Sequence, residues 1–172
     1  YCFLDESGNA AGFDIDLIRA VAAETDIQVS IRLSAFADVI QAMFDGGSGK
    51  VTAIFHSELR ASKMDFTEPH SVVGHSVFVR KGSAIASLQD CVDKAILVQQ
   101  SDVMHQRLEN IRMTEHLYPI ERISDAIHLL SGQDRYDAAV LPKAQAVYFI
   151  YRLGLSGVIP VGPMIEARKY GF

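Results

Sequence analysis

Ala95-Ile96-Leu97-Val98-Gln99-Gln100-Ser101-Asp102-Val103-Met104-His105 is the stretch that decides the fold. Its first half is a short apolar run of strand length and composition. Its second half opens on Ser101 and Asp102, either of which can cap a helix by accepting from a free backbone N–H, and continues with Val103, Met104 and Leu108 as a helical stripe. A strand that turns at once into a capped helix is half of a β-α-β unit.

The same alternation runs outward in both directions. Towards the C-terminus, Leu117–Ile120 reads as extended. A helix follows with Ser124 as cap, Ile127, Leu129 and Leu130 on its apolar face, and Gly132 at its end. Ala138–Leu141 is an apolar strand, Lys143–Leu153 a helix ended by Gly154, and Val158–Val161 a last strand between Gly157 and Gly162-Pro163. Towards the N-terminus, Ser71–Arg80 has strand composition and stops at Gly82-Ser83. Ser57 caps a short turn through Arg60, and Val51–Phe55 reads as a buried strand. Val39, Ile40, Met43 and Phe44 form a helical stripe stopped by Gly46-Gly47. Val29, Ile31 and Leu33 alternate as a strand, and Asp14 is placed to cap a helix carrying Leu17, Ile18 and Val21. Strands alternating with helices predict an α/β fold with a mostly parallel sheet. The two sets of elements divide near residues 80–90, which predicts two lobes.

Composition narrows the function. The chain has 172 residues, 49% of them hydrophobic and 22% charged, with a net charge of −5, so it can bury a core and is not a disordered segment. An acidic chain whose cations are scattered lacks the clustered Lys and Arg that nucleic acid requires. Two cysteines, Cys2 and Cys91, exclude a disulfide-dense scaffold but leave both one bridge and two separate thiols open. No apolar run reaches the roughly 18 residues that cross a bilayer. The chain begins at Tyr1 without a signal-peptide pattern, and is read as a piece of something longer.

Several motifs for chemistry fail. Gly46-Gly47-Ser48-Gly49-Lys50 lacks the spacing of a phosphate-binding loop, because Phe44 and Val51 stand where Gly and Ser/Thr are needed; a helix-to-strand loop is the better account. His56, His70, His75, His105, His116 and His128 form no metal-binding spacing with one another or with cysteine, so satisfied or exposed histidines are expected and no metal or cofactor. A Gly-x-Ser-x-Gly nucleophile elbow is missing. No catalytic residue is expected.

Gly12-Phe13-Asp14-Ile15-Asp16-Leu17, Phe36 before the next helix, Ser57-Glu58-Leu59-Arg60 and Met64-Asp65-Phe66-Thr67-Glu68-Pro69 together resemble the bacterial solute-binding proteins of family 3, over almost the whole chain. The resemblance implies the two-lobed type II periplasmic-binding-protein fold. Lobe 1 would hold residues 1–78, with 169–172 returning to it; lobe 2 would hold 84–164; hinge crossings would lie at 79–83 and 165–168. Val79-Arg80-Lys81-Gly82-Ser83, Val98–His105 and Pro142-Lys143-Ala144-Gln145 further resemble the extracytoplasmic sensor domains of membrane histidine kinases. That implies a small-molecule ligand, a membrane-anchored parent chain and, in a full receptor, room for a homodimer.

The resemblance also implies a site. Arg60 would grip a ligand carboxylate, chemistry that a planar guanidinium fork suits. Phe36 would wall the ligand's side chain. Thr52, Ala53 and Phe55 would offer strand-end backbone groups. Gln100, Ser101 and Asp102 would meet the ligand from the second lobe at a helix N-terminus, where free N–H groups collect. The acid that holds an α-ammonium in amino-acid binders has no counterpart after Asp137-Ala138-Ala139-Val140, which continues Leu141-Pro142. Either Asp102 takes that role or the ligand is not an α-amino acid. Two other activities share the fold: a free periplasmic binding protein of an ATP-driven amino-acid importer, and a dehydratase acting on prephenate or arogenate. The second would need a carboxylic acid with a raised pKa in the cleft.

Overall fold

Phe78 and its neighbours Val77 and Val79 point to opposite faces of one sheet, and each face carries its own core. The computed structural model describes residues 1–46 and 52–172. The Gly46–Lys50 loop and the start of the expected strand at Val51 fall largely outside them. Two compact units are formed, Tyr1–Ala35 and Phe36–Phe172.

The first unit holds a short antiparallel pair, β1 (Phe3–Leu4) and β2 (Ala10–Ala11), and helix α1 (Phe13–Thr25). Asp14 does not cap α1. Gly12 occupies the cap position at φ 113°, where a Cβ would meet the Tyr1 carbonyl at 2.4 Å, and Asp14 lies buried inside the first turn. The expected strand at Val29–Leu33 does not form. Alternation alone supplies no hydrogen-bonding neighbour, and Val29 is exposed.

The second unit opens with α2 (Phe36–Phe44), β3 (Ile54–Phe55) and α3 (Glu58–Ala61), followed by β4 (Ser71–Arg80). A 3-10 turn at Gln89–Cys91 leads to β5 (Ile96–Gln99), α4 (Val103–Asn110) and β6 (Leu117–Ile120). Then come α5 (Ile123–Gly132), β7 (Ala138–Pro142), α6 (Lys143–Arg152) and β8 (Val158–Gly171). Six strands make one mixed sheet in the order β3-β8-β4-β7-β5-β6. Parallel pairing is confined to β7-β5-β6, where helices supply the crossovers. The β3–β8, β8–β4 and β4–β7 ladders are antiparallel, so the sheet is less parallel than the strand–helix alternation suggested.

Period-two burial explains the core. Phe78, Leu97, Ala139 and Leu141 face α5 and α6, packing on Ile123, Ile127, Leu130 and Ala146. Val77, Val79, Ile96, Val98, Ala138 and Val140 face the other way, onto Met104 and Leu108 of α4 and onto Cys91. A sheet buried on both faces needs continuous apolar strands, which is what Ile96–Val98 and Ala138–Leu141 are.

Strand β8 is longer than Gly162-Pro163 led us to expect. It runs beside β4 along its whole length, with two register shifts, and Gly162, Pro163 and Met164 fall in one of them, between the pairs Val77–Val161 and His75–Ile165. A bulge accommodates a proline that has no N–H to give the ladder. Gly162 sits at φ 68°, and a Cβ there would lie 2.8 Å from the Ala86 carbonyl oxygen. The cap of α5 also differs: Arg122, not Ser124, precedes its first turn.

Candidate functional site

Three elements of the second unit converge on Arg60. Ser57 caps α3, its Oγ accepting from the Arg60 N–H at 3.3 Å, and this short turn aims the guanidinium inward. The side chain is only 1% exposed. Nη1 donates to the Phe55 carbonyl at 2.9 Å and Nη2 to the Ser101 carbonyl at 3.1 Å. The guanidinium carbon lies 5.7 Å from the centre of the Phe36 ring, within cation–π range. Burial depresses the guanidinium pKa below its ordinary value. Asp102 opposes that shift, and Arg168 adds to it. No carboxylate makes an ion pair with Arg60 among the described residues.

The turn between β5 and α4 presents the next part. Ser101 adopts a left-handed conformation, φ 61°, which is uncommon for a residue with a Cβ. Its N–H donates to His105 Nδ1 at 3.3 Å, and its carbonyl is the one that Arg60 reaches. Asp102 is the helix cap, accepting from the Met104 N–H at 2.9 Å. The same oxygen, Oδ1, lies 2.7 Å from His75 Nε2. Burial pushes the Asp102 carboxyl up; the His75 hydrogen bond and charge, the Met104 N–H and Arg60 outweigh it and hold the carboxyl below the ordinary carboxylate range. A carboxylate can only accept, so Nε2 of His75 carries the proton.

The sequence does not mark His75 as a site residue. It is fully buried on β4, between the two register shifts, and stacks on the Phe55 ring with centroids 4.7 Å apart. Its Nδ1 finds no partner among the described residues. Nothing local marks it, because its partner stands 27 residues away.

The structure therefore gathers Arg60, Phe36, Phe55, Ser101 and Asp102, and adds His75. It does not draw in the other expected residues through any hydrogen bond to Arg60. Thr52 and Ala53 are half-buried on the approach to β3, and Gln100 is exposed with its N–H on the Ile120 carbonyl at 2.9 Å.

A separate hollow beside β3 and the end of β8 has a volume of about 190 Å³ and is lined by His56, Phe66, Thr67, Glu68, Pro69, Lys169 and Gly171. Both cysteines are free thiols, Cys2 exposed and Cys91 buried. No helix among the described residues is long and apolar enough to cross a membrane.

The family model of the bacterial extracellular solute-binding proteins, family 3, matches residues 1–150. The arginine-binding extracellular protein ArtP of Bacillus subtilis (strain 168) is 27% identical over 168 residues, which is 94% of this chain and 65% of that protein. The amino-acid-binding protein AabA of Dichelobacter nodosus is 27% identical over 154 residues, 87% of this chain and 60% of that one. The chain thus spans less than two thirds of the length of these relatives. Among solved structures, a histidine kinase sensor domain with similarity to periplasmic binding proteins matches with a TM-score of 0.91 at 32% identity, covering 99% of this chain and 75% of that chain. An ancestral arginine-binding protein bound to arginine matches with a TM-score of 0.87 at 29% identity, covering 99% and 77%.

Proposed function

Because the chain belongs to the bacterial extracellular solute-binding proteins of family 3 and has their periplasmic-binding-protein α/β fold, we propose that it binds a small carboxylate or amino-acid-like solute outside the cytoplasm, as the sensor domain of a transmembrane histidine kinase. One observation carries the binding role: Arg60 is a buried guanidinium that bonds two backbone carbonyls and, among the described residues, makes no ion pair with a carboxylate. Burying a cation with no carboxylate in direct contact is costly, and an incoming anion that reaches the guanidinium offsets that cost. A ligand carboxylate supplies that anion through charge-assisted hydrogen bonds.

The response to ligand follows from where Arg60 reaches. Residues 1–78 form lobe 1, completed by 169–172, residues 84–164 form lobe 2, and crossings at 79–83 and 165–168 are the hinge. Within the second unit, Arg60 belongs to the first lobe and Ser101 to the second, so their hydrogen bond spans the hinge. A ligand that engages Arg60 and the β5–α4 turn together biases the open–closed balance by its difference in affinity for the two states. Phe36 forms the wall beside the guanidinium, and Thr52, Ala53, Phe55 and Gln100 line its approach. The site binds and does no chemistry. In the parent receptor, anchored in the inner membrane, the closure is passed to the kinase.

Sensor rather than importer is favoured by the resemblance to a kinase sensor domain at 32% identity; the likeness to ArtP supports the alternative, a free binding protein of an amino-acid importer. A melting-temperature screen of the chain against amino acids and simple carboxylates, run beside Arg60→Ala, tests the binding role. A shift in the wild type that the variant lacks supports it. Equal shifts in both remove Arg60 as the anchor. Ligand-dependent autophosphorylation of the membrane-embedded parent protein tests the sensor role.

A further inference from the structure

We propose that Glu166 is a positioning residue for the Arg60 site: it clasps Arg107 of α4 to a bulge of β8 and so holds the Ser101–Asp102 turn within reach of the guanidinium. Its bearing on ligand binding rests on Arg60 being the anchor proposed above.

The strand is shaped to present this acid. Between the pairs Val73–Arg168 and His75–Ile165, β8 has Glu166 and Ala167 where β4 has only Gly74. An extra residue of this kind bends a strand and re-aims a side chain. Gly74 permits the close approach, since a Cβ there would lie 2.9 Å from the Ile165 carbonyl oxygen. Glu166 itself stands at φ 41°, an unfavourable backbone for a residue with a Cβ. Strain that the surrounding contacts enforce is a pointer to function.

The carboxylate is divided between two cations. Oε1 meets Arg107 Nη1. Oε2 accepts from Arg168 Nε at 3.0 Å and from Arg168 Nη2. Arg168 belongs to the same strand, so that contact ties β8 to itself. Arg107 belongs to α4, so the other contact ties the helix to the sheet.

Helix α4 depends on such ties. It has eight residues, too few to hold a helix without tertiary contacts. Met104 and Leu108 press its apolar side onto the core that Ile165 also joins. Apolar packing is non-directional, and the Arg107–Glu166 contact adds a directed one. The start of the helix carries what reaches the site: Asp102 is its cap, and the Ser101 carbonyl accepts from Arg60 Nη2 at 3.1 Å. No hydrogen bond or ion pair joins Arg107 or Glu166 to Arg60, Ser101, Asp102 or His75 among the described residues, so the clasp acts through α4. Arg168 does act on Arg60 through its charge, and Glu166 stands beside it, so a test must part position from field.

Arg107→Ala, Glu166→Ala and the double variant of the 172-residue chain make that separation. Both side chains are partly exposed, 38% and 29%, so the variants are expected to fold. The first reading is taken without ligand, as NMR hydrogen exchange of the Met104 N–H and of the Arg60 guanidinium protons. A clasp speeds both about three- to fivefold in each single variant, the scale of a half-exposed ion pair. It adds nothing further in the double variant, and Arg107→Lys, which keeps a cation for Glu166, returns the rates towards wild type. Faster exchange at Met104 with Arg60 unchanged makes the contact a support of α4 alone and overturns the proposal; so do unchanged rates at both.

The second reading is isothermal titration calorimetry with L-glutamine, which has no net charge, and with glutarate, a dianion. A clasp weakens L-glutamine about three- to fivefold in both single variants, because the binding-competent fraction falls. A field effect alone leaves L-glutamine unchanged, weakens glutarate in Arg107→Ala and strengthens it in Glu166→Ala; that pattern overturns the proposal and leaves the anchor role of Arg60 standing. Binding of neither probe by the wild type counts against the anchor role, and the exchange rates of the ligand-free protein then decide the clasp by themselves.

Discussion

Arg60 donates through Nη2 to the Ser101 carbonyl at 3.1 Å, joining a four-residue helix to a turn 41 residues further along the chain. The acceptor belongs to a residue at φ 61°, and the donor is buried with no carboxylate in ion-pair contact among the described residues, Asp102 acting on it only at longer range. Neither condition is what stability alone selects. A strained turn and an unpaired interior cation are tolerated where a site needs them.

Replacing Arg60 by Met separates these roles. Methionine fills similar volume with an apolar chain and removes the desolvation cost of a buried charge, but leaves the Phe55 and Ser101 carbonyls without their donor, at a cost of about 1–3 kcal/mol. Arg60→Met without ligand is therefore expected to lose no more than about 3 kcal/mol, while its carboxylate affinity falls roughly 10- to 150-fold, the loss of a charged hydrogen bond worth about 1.5–3 kcal/mol. Melting curves with and without ligand check both halves. A large fall in the unliganded melting temperature would make Arg60 a structural residue.

Much of this arrangement is visible in the sequence where one stretch decides it. Ser57 three residues before Arg60 specifies the capped turn, and the strands Ser71–Arg80 and Leu117–Ile120 match their expected limits because turn formers bound them. The rest depends on partners far apart. Val29–Leu33 alternates like a strand yet has no ladder to join, and Gly162-Pro163 reads as a stop although a bulge carries β8 through it. His75 looks like any strand histidine until Asp102 is seen beside it. The family resemblance supplied the fold and singled out Arg60; it did not supply the contact between His75 and Asp102.

Acid should weaken the same pair. The folded-state pKa of Asp102 lies below its unfolded value of about 3.9, so the pair contributes stability that is fully present above that pH and is lost as pH falls through the depressed folded value. Asp102→Asn has no carboxylate to titrate. Wild type is expected to exceed the variant by up to about 3 kcal/mol at neutral pH, the cost of breaking one side of a buried pair. The gap should shrink below about pH 4 as the wild-type carboxyl takes up its proton. Urea melts of both proteins at pH 7, 5 and 3 measure it; a gap that widens in acid contradicts the assignment.

Arg80 tests the frame independently of the site. Its Nη1 faces three carbonyls at the end of α5: Leu130 at 2.8 Å, Gln133 at 3.0 Å and Tyr136 at 2.9 Å. A cation there completes orphan helix carbonyls and complements the negative end of the helix dipole. Arg80→Ala is expected to cost about 2 kcal/mol, from charged hydrogen bonds worth about 1.5–3 kcal/mol partly replaced by water. Arg80 also lies on the proposed 79–83 crossing and bonds to no residue of the Arg60 site, so a change in ligand affinity in this variant is expected to come through the open–closed balance alone. Denaturant unfolding and calorimetry on the same preparation check the two expectations together.

Cys91 reports on whether the second core is as closed as its packing implies. The thiol is fully buried against Val77, Val98 and Met104, and burial, with Asp90 and Asp137 adding to it, pushes its pKa up to about 11. Only the thiolate attacks a disulfide reagent, and both low exposure and a raised pKa suppress it. Cys2 is exposed, and although burial raises its thiol pKa as well, its sulfur is open to reagent in a way that of Cys91 is not. Reaction of the native protein with an aromatic disulfide at pH 8 is expected to consume one thiol quickly, and the second only in denaturant. The slow phase then measures opening of the sheet face that carries α4, and so of the helix whose first turn holds Asp102. If ligand binding at Arg60 steadies that turn, saturating ligand should slow the second phase roughly in proportion to the stabilisation it provides, since only molecules that have opened can react. Equal rates with and without a ligand that binds would separate the α4 turn from the site.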